Sequence, residues 1–361
     1  MEDYRLLVIN PGSTSTKLGV FQRDTRLIVE SISHSQEELG GFERIVDQES
    51  FRFNTIIEFL TEKEITVDSF DAVIGRGGLL QPLPSGTYLV TPQMLKDLRA
   101  GVQGEHASNL GGILAARIAD HCTCKAYIVD PVVVDELLDI ARYTGFPEIR
   151  RRSIFHALNH KAVARRAARD LGKPYTRCNM IVAHLGGGIS VGAHRKGRVI
   201  DVNNALNGDG PFAPERAGTV PASDLVELCF SGQFTKNQLK KRLAGKAGIV
   251  AYMATNNMRE IESRIDAGDA DAKELLEAMA FQVSKEIGSR AVALNGDIDA
   301  IVLTGGLAYD KRFVNLITEW TGFLGPIKVY PGEDEMQSLA EGGLRVLDGE
   351  EEARIYAGTY Q

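Results

Sequence analysis

Asp71-Ala-Val-Ile-Gly-Arg-Gly-Gly78 returns in the second half of the chain as Asp299-Ala-Ile-Val-Leu-Thr-Gly-Gly306. Each stretch reads as a short buried strand that opens on aspartate and stops at paired glycines. Each follows a helix-like segment, 54–63 before the first and 272–294, apolar at a 3.6-residue period, before the second. Each then leads to a further strand, 126–129 running into Asp130-Pro131 and 327–330 running into Pro331-Gly332. Upstream lies a second echo. The apolar run 6–9 stops at Asn10-Pro-Gly-Ser-Thr-Ser15 and is followed by strands at 16–21 and 27–33. Residues 180–184 run into Leu185-Gly-Gly-Gly188 and are followed by strands at 189–193 and 199–202.

Two halves, each a hairpin sheet followed by alternating helices and strands, predict a duplicated α/β domain rather than a single Rossmann sheet. The spacing between the echoes widens along the chain, which places an insertion of about 50 residues within 203–257, the kind of segment that often carries active-site elements. A helix over 154–171, capped by Ser153 and stopped by Gly172 and Pro174, begins the bridge between the halves. The expected domains are 1–150 and 151–334. The closing segment 335–361, read as helical over 335–347, is expected to pack back on the first domain.

The length of 361 residues suits two domains with ample core. Lys and Arg total 41 against 48 Asp and Glu, a net charge of −7 that argues against wholesale binding of nucleic-acid phosphates. The start lacks the basic end and apolar run of a signal peptide, and no window is long and apolar enough to span a bilayer. A soluble cytoplasmic protein is therefore expected. Its four cysteines, 122, 124, 178 and 229, are expected to be reduced thiols.

Glycine is the compositional outlier, with 37 residues. At strand ends it lets backbone approach a ligand and turn N–H groups toward phosphate oxygens. Gly12, Gly77-Gly78, Gly186 to Gly188 and Gly305-Gly306 stand at such ends; each alone reads equally as a plain turn, and the set of four points to nucleotide phosphates. The familiar phosphate motifs are absent. Gly172-Lys173 and Gly245-Lys246 lack the Ser or Thr of a P-loop. Gly186-x-Gly188 has its next glycine at 192, inside a strand, and the protein-kinase signatures do not occur.

Charged residues gather near these glycines. Arg76 lies between glycines after a buried strand and Arg216 lies in Pro214-Glu-Arg-Ala-Gly218, both suited to grip an oxyanion or, equally, to form surface salt bridges. Lys17 follows the polar loop that carries Ser13 and Ser15. His156 falls at the start of the bridging helix, His184 at the strand end before Gly186, and His106 in a Gly-Glu-His-Ala stretch. His121 and His194 read as structural. His156 and His160 sit one turn apart but lack the third ligand of a zinc site. Asp130 and Glu335, at strand ends, suit Mg²⁺, directly or through water.

Taken together, Asn10-Pro-Gly-Ser-Thr-Ser-Thr-Lys17, Phe155-His-Ala-Leu-Asn-His-Lys161, His184-Leu-Gly-Gly-Gly-Ile-Ser190, Pro214-Glu-Arg-Ala-Gly218 and Leu303-Thr-Gly-Gly306 resemble the acetokinase family of the sugar-kinase, heat-shock-protein and actin superfamily. The resemblance covers essentially the whole chain. It implies duplicated RNase H-like (actin-like ATPase) domains with an active-site cleft between them, ATP/ADP and Mg²⁺ as cofactors, a short-chain carboxylate as substrate, domain closure and a homodimer or higher homo-oligomer. By resemblance, Asn10 and Glu335 serve Mg²⁺, Arg76 and Arg216 the transferring phosphoryl and the carboxylate, and Asp130 and His156 the reacting centre. Ser13, Ser15, Lys17, His184, Gly186, Gly187 and Gly188 would meet the nucleotide phosphates, with Gly305 and Gly306 near adenosine. Asn-Pro-Gly-Ser and His-Leu-Gly-Gly-Gly depart from the family's acetate-specific members and favour butyrate or a branched acid.

The chemistry fits that expectation. A fatty carboxylate is already ionised near pH 7, so its attack on a γ-phosphate needs cations and N–H donors rather than a base. A sugar kinase instead needs an aspartate to accept a hydroxyl proton, which makes Asp130 the residue that separates the two. The alternatives are an acetate or propionate kinase, a sugar kinase, and an actin-like ATPase without a metabolic substrate.

Overall fold

The computed structural model describes residues 2–358. The chain divides into two compact units, one running to Val134 and resuming at Asp334, the other Asp135–Glu333. In the first, β1 (Arg5–Pro11), β2 (Ser15–Gln22) and β3 (Thr25–Ser33) form an antiparallel meander. After α1 (Gln36–Gly40) and α2 (Glu49–Glu62), β4 (Ala72–Arg76) pairs parallel to β1. Next come β5 (Thr87–Leu89), α3 (Pro92–Ala100), α4 (Asn109–Cys122) and β6 (Lys125–Val129).

The second unit opens with α5 (Ala157–Asp170) and a second meander, β7 (Asn179–Leu185), β8 (Ile189–Arg195) and β9 (Arg198–Val202). Helices α6 (Ala222–Phe230), α7 (Lys236–Gly245), α8 (Ile249–Met253) and α9 (Met258–Asp266) precede the long α10 (Ala270–Ala293). Then follow β10 (Ala300–Gly305), α11 (Lys311–Thr321) and β11 (Ile327–Pro331). The chain returns to the first unit with α12 (Glu335–Leu347) and β12 (Arg354–Ile355). Residues 359–361 of the closing segment lie outside the described residues.

The strand orders make the duplication explicit. The first sheet reads β12-β5-β6-β4-β1-β2-β3 and the second β11-β10-β7-β8-β9, so β3-β2-β1-β4-β6 and β9-β8-β7-β10-β11 are the same arrangement. The central strands β1, β7 and β10 are buried on both faces, as their unbroken apolar runs require. In the second unit Leu276, Met279, Val283 and Ile287 of α10 pack against Ile181, Val191 and Ile301 of the sheet.

Three local expectations change. Helix α5 begins at Ala157 rather than at 154, because His156 is held outside it by a bond to Ser190 on β8. Helix α4 has no counterpart in the sequence reading: its first half is buried and carries Gly111 and Gly112, and its polar stripe is confined to Arg117, Asp120 and His121 at the C-terminal end. Cys122 and Cys124, expected as free thiols, are joined in a disulfide. Thr123, left-handed at φ 52° where it caps α4, turns the two side chains toward each other. Cys178 and Cys229 are free. Among the described residues no helix is long and apolar enough to cross a membrane.

Candidate active site

In the first unit the ends of β1, β4 and the start of α12 meet in a three-residue cluster. The Arg76 guanidinium bonds Glu335 Oε1 at 2.6 Å and Asn10 Oδ1 at 3.2 Å. Asn10 Nδ2 in turn donates to Glu335 Oε2 at 2.7 Å. Asp334 caps α12 by accepting from Gln337 N, which sets Glu335 as its first residue and aims the carboxylate at the strand ends. Arg76 and Glu335 each stay about a quarter exposed, at 28% and 24%, so both remain open to a charged ligand.

The loop between β1 and β2 closes through Gly12 N donating to Ser15 O at 2.8 Å. Ser13 and Lys17 are exposed and Ser15 is half-buried, while Thr16 turns inward to meet His34 Nε2 at 2.8 Å. Behind the loop lies Arg52, which no sequence signal marked. It is fully buried and donates to the carbonyl oxygens of Ser13 and Ser15, to Thr16 Oγ1 and to Gln48 Oε1, all neutral acceptors. Burial lowers its pKa to about 10, so it stays charged near neutrality.

Asp130 follows β6, buried and left-handed at φ 36°, a conformation that costs energy for any residue but glycine and is held here by its neighbours. Its Oδ1 accepts from Ser85 Oγ at 2.6 Å and Gly86 N at 2.8 Å. Gly77 and Gly78 beside it are glycines for packing: a Cβ would lie 2.6 Å from Pro131 Cβ in one case and from Asn109 Cα in the other. His106 bonds Ser108 Oγ at 2.9 Å.

In the second unit His184 ends β7, buried, with Nδ1 2.8 Å from Asn159 Oδ1 and Nε2 3.1 Å from Glu333 Oε1. Its ring stacks on His156, centroids 3.7 Å apart. His156 Nδ1 and His160 Nε2 each lie 2.9 Å from Ser190 Oγ, so this pair shares a hydroxyl. Burial first, then the neighbouring His194, pushes His160 well below the ordinary imidazole range; burial and then Lys161 do the same to His194. Both rings are neutral at pH 7.

Gly186 to Gly188 form the turn after β7, with Glu215 N donating to Gly187 O at 3.1 Å. That bond brings Arg216 beside the turn, and Arg216 Nε is buried without a hydrogen-bond partner among the described residues. Gly305 has φ +86°, and a Cβ there would lie 2.4 Å from Leu185 O, so only glycine lets β10 end against β7. Gly306 next to it is exposed, with nothing within 4 Å of a Cβ.

Asn10, Arg76 and Glu335 thus form one cluster, and His156, His184 and Ser190 another. Sequence reasoning missed Ser190, Asn159 and Glu333 around the second cluster and Arg52 behind the β1–β2 loop; Ser190 and Asn159 fall inside quoted motifs, whereas Arg52 and Glu333 carry no local signal.

The acetokinase family model matches residues 142–330. Butyrate kinase 2 of Clostridium acetobutylicum is 54% identical over 353 residues, 98% of this chain and 99% of the relative. A probable butyrate kinase of Clostridium botulinum is 51% identical over the same shares. Among solved structures, Porphyromonas gingivalis acetate kinase superposes with a TM-score of 0.79 at 18% identity, covering 95% of this chain and all of that one, a likeness in fold: duplicated, actin-like α/β units. With a family model spanning more than half its length and relatives above 50% identity from end to end, the chain belongs to the acetokinase family.

Proposed function

We propose that the protein phosphorylates the carboxylate of a short-chain fatty acid, butyrate or a branched acid such as isobutyrate, from ATP, giving an acyl phosphate and ADP in a reversible reaction. The observation that carries this reading is 54% identity to a butyrate kinase across 98% of the chain. A carboxylate oxygen attacks the γ-phosphorus, the bond to the bridging oxygen breaks, and the electron pair leaves with ADP. No proton moves, since the acid is already ionised near neutrality.

What must be overcome is repulsion between two anions. Arg76, Arg216 and His156 act as donors to the transferring phosphoryl, worth most where charge spreads in the transition state. The unpartnered Nε of Arg216 supports that role. Asp130, with Oδ1 already held by Ser85 and Gly86, orients the substrate rather than taking a proton. Ser13, Ser15, Lys17, His184 and Gly186 to Gly188 bind the nucleotide phosphates, and Gly305 and Gly306 lie along adenosine.

Asn10 Oδ1 and the Glu335 carboxylate are hard oxygen donors in one cluster, a set that suits Mg²⁺, which takes one or two protein oxygens and fills its shell with phosphate and water. When bound it neutralises phosphate oxygens. Family resemblance also favours a cytoplasmic homo-oligomer.

The test is Mg-ATP with acetate through valerate and isobutyrate in the presence of hydroxylamine. Hydroxamate should form fastest with four-carbon acids. No hydroxamate with any acid overturns the reading, and a preference for acetate overturns its chain-length part.

A further inference from the structure

Behind His156 runs a row of side chains that the reaction above does not use. Tyr175 Oη lies 2.7 Å from His194 Nδ1, His194 Nε2 lies 3.2 Å from His160 Nδ1, His160 Nε2 lies 2.9 Å from Ser190 Oγ, and Ser190 Oγ lies 2.9 Å from His156 Nδ1. We propose that Tyr175, His194, His160 and Ser190 are positioning residues: their hydrogen bonds run in one sense and fix the ring proton of His156 on Nε2. The proposal rests on the carboxylate-kinase reading for its catalytic consequence.

A neutral imidazole has one N–H and one lone pair. His160 and His194 are buried and neutral, so where their rings face each other one must donate and the other accept. The choice passes along the row to Ser190: a His160 that accepts from the hydroxyl leaves His156 Nδ1 to donate, whereas a His160 that donates frees the hydroxyl to donate to His156 Nδ1. In one state, Tyr175 donates to His194, His194 to His160, His160 to Ser190, and the Ser190 hydroxyl to His156 Nδ1, leaving the His156 proton on Nε2. In the other every bond is reversed and His156 carries its proton on Nδ1.

Charge selects between them. Lys161 Nζ, paired with Glu136 Oε2 at 2.7 Å, and Arg165 Cζ stand 5.7 and 5.6 Å from the centre of the Tyr175 ring, and both still act on His194 as positive charge. Positive charge there favours electron density on the phenolic oxygen, and so favours Tyr175 as the donor. Bonds aligned in one sense polarise each other and reinforce that state. The outcome matters for chemistry, because Nε2–H is a donor to a phosphoryl oxygen whereas a bare Nε2 lone pair would repel it. Wrong-tautomer histidines elsewhere lose rate without losing geometry.

The experiment uses the full chain labelled with ¹⁵N-histidine, with the tautomer of His156 read from long-range ¹H–¹⁵N spectra without substrate, beside kcat and KM for acyl phosphate formation. Wild type should show Nε2–H. Tyr175→Phe should move His156 toward Nδ1–H and lower kcat by roughly tenfold, with both KM values held within about twofold. Ser190→Ala should do the same and Ser190→Thr should restore both readouts, which keeps the test alive if Tyr175→Phe does not fold. Nδ1–H in wild type, or an unchanged tautomer in Tyr175→Phe and Ser190→Ala, overturns the relay. A wild type that makes no acyl phosphate overturns the kinase reading instead and leaves the tautomer result standing on its own.

Discussion

The β1–β2 hairpin and its counterpart β7–β8 share one backbone plan: both are antiparallel, both put their first strand at the centre of a sheet, and both continue into a third antiparallel strand. What is buried behind them differs. Behind the first lies Arg52, a permanent cation holding the loop carbonyls of Ser13 and Ser15. Behind the second lie His160 and His194, neutral rings linked through Ser190 to His156. The loops differ in kind as well, serine-rich after β1 and glycine-only after β7. Repetition of apolar strands thus reproduced the frame, while the buried side chains behind it differ in charge: a cation beside one histidine, His34, at the first hairpin and two neutral rings at the second.

The largest effects should come from the arginine that each unit contributes. Arg76→Ala and Arg216→Ala should each lower kcat by about 10²–10³, the loss expected for one transition-state donor. Near wild-type turnover in either variant would remove that unit from the phosphoryl-transfer step.

Arg52→Met should come next. It strands several buried oxygens, at a cost of about 2–4 kcal/mol in urea-unfolding stability, and should raise KM for ATP more than KM for the acid. Unchanged nucleotide binding would show that the bracing of the first loop is structural alone.

Acid should then weigh more on the second hairpin, with two rings held well below the ordinary range, than on the first, where burial and Arg52 lower His34 alone. Unfolded histidine titrates near ~6.5, and the native rings of His160 and His194 titrate well below that. Between these limits the unfolded chain binds more protons than the native one, so stability is fully present above about pH 6.5 and falls as pH drops. The slope is at most about 1.4 kcal/mol per pH unit for each ring. Thermal melts from pH 7 to 5 should show it, and His194→Asn should flatten it; an unchanged slope would dismiss the neutral pair as its source. The smallest effect should be at Gly306→Ala, within about 0.5 kcal/mol of wild type in stability because the site is open, so that a shift in nucleotide affinity there reports on the ligand alone.

Much of this was legible from the chain. The echo of 71–78 in 299–306 corresponds to β4 and β10, equivalent strands in the two sheets, and 335–347 is helix α12. The short strands β5 and β12 were not legible, because three- and two-residue strands have too few positions to show alternation. The glycines at 77 and 78 looked like those at 186 to 188, yet a Cβ would lie 2.6 Å from Pro131 and Asn109 in the first pair and no nearer than 3.0 Å to any neighbour in the second set. Nothing local distinguishes a glycine pressed against a neighbouring residue from one with more room around it.

Apolar runs, their spacing and the punctuation of strand ends were sufficient to reveal a repeated α/β frame and most of the polar residues at its strand ends, since each of those signals is written over a few consecutive positions. The pairing of Arg76 with Glu335, the grip of Arg52 on a loop nearly forty residues away, and the row from Tyr175 to His156 came only with folding. These bonds join residues brought together by sheet order, and burial sets the charge each group carries, so neither partner nor protonation is encoded in the neighbours along the chain.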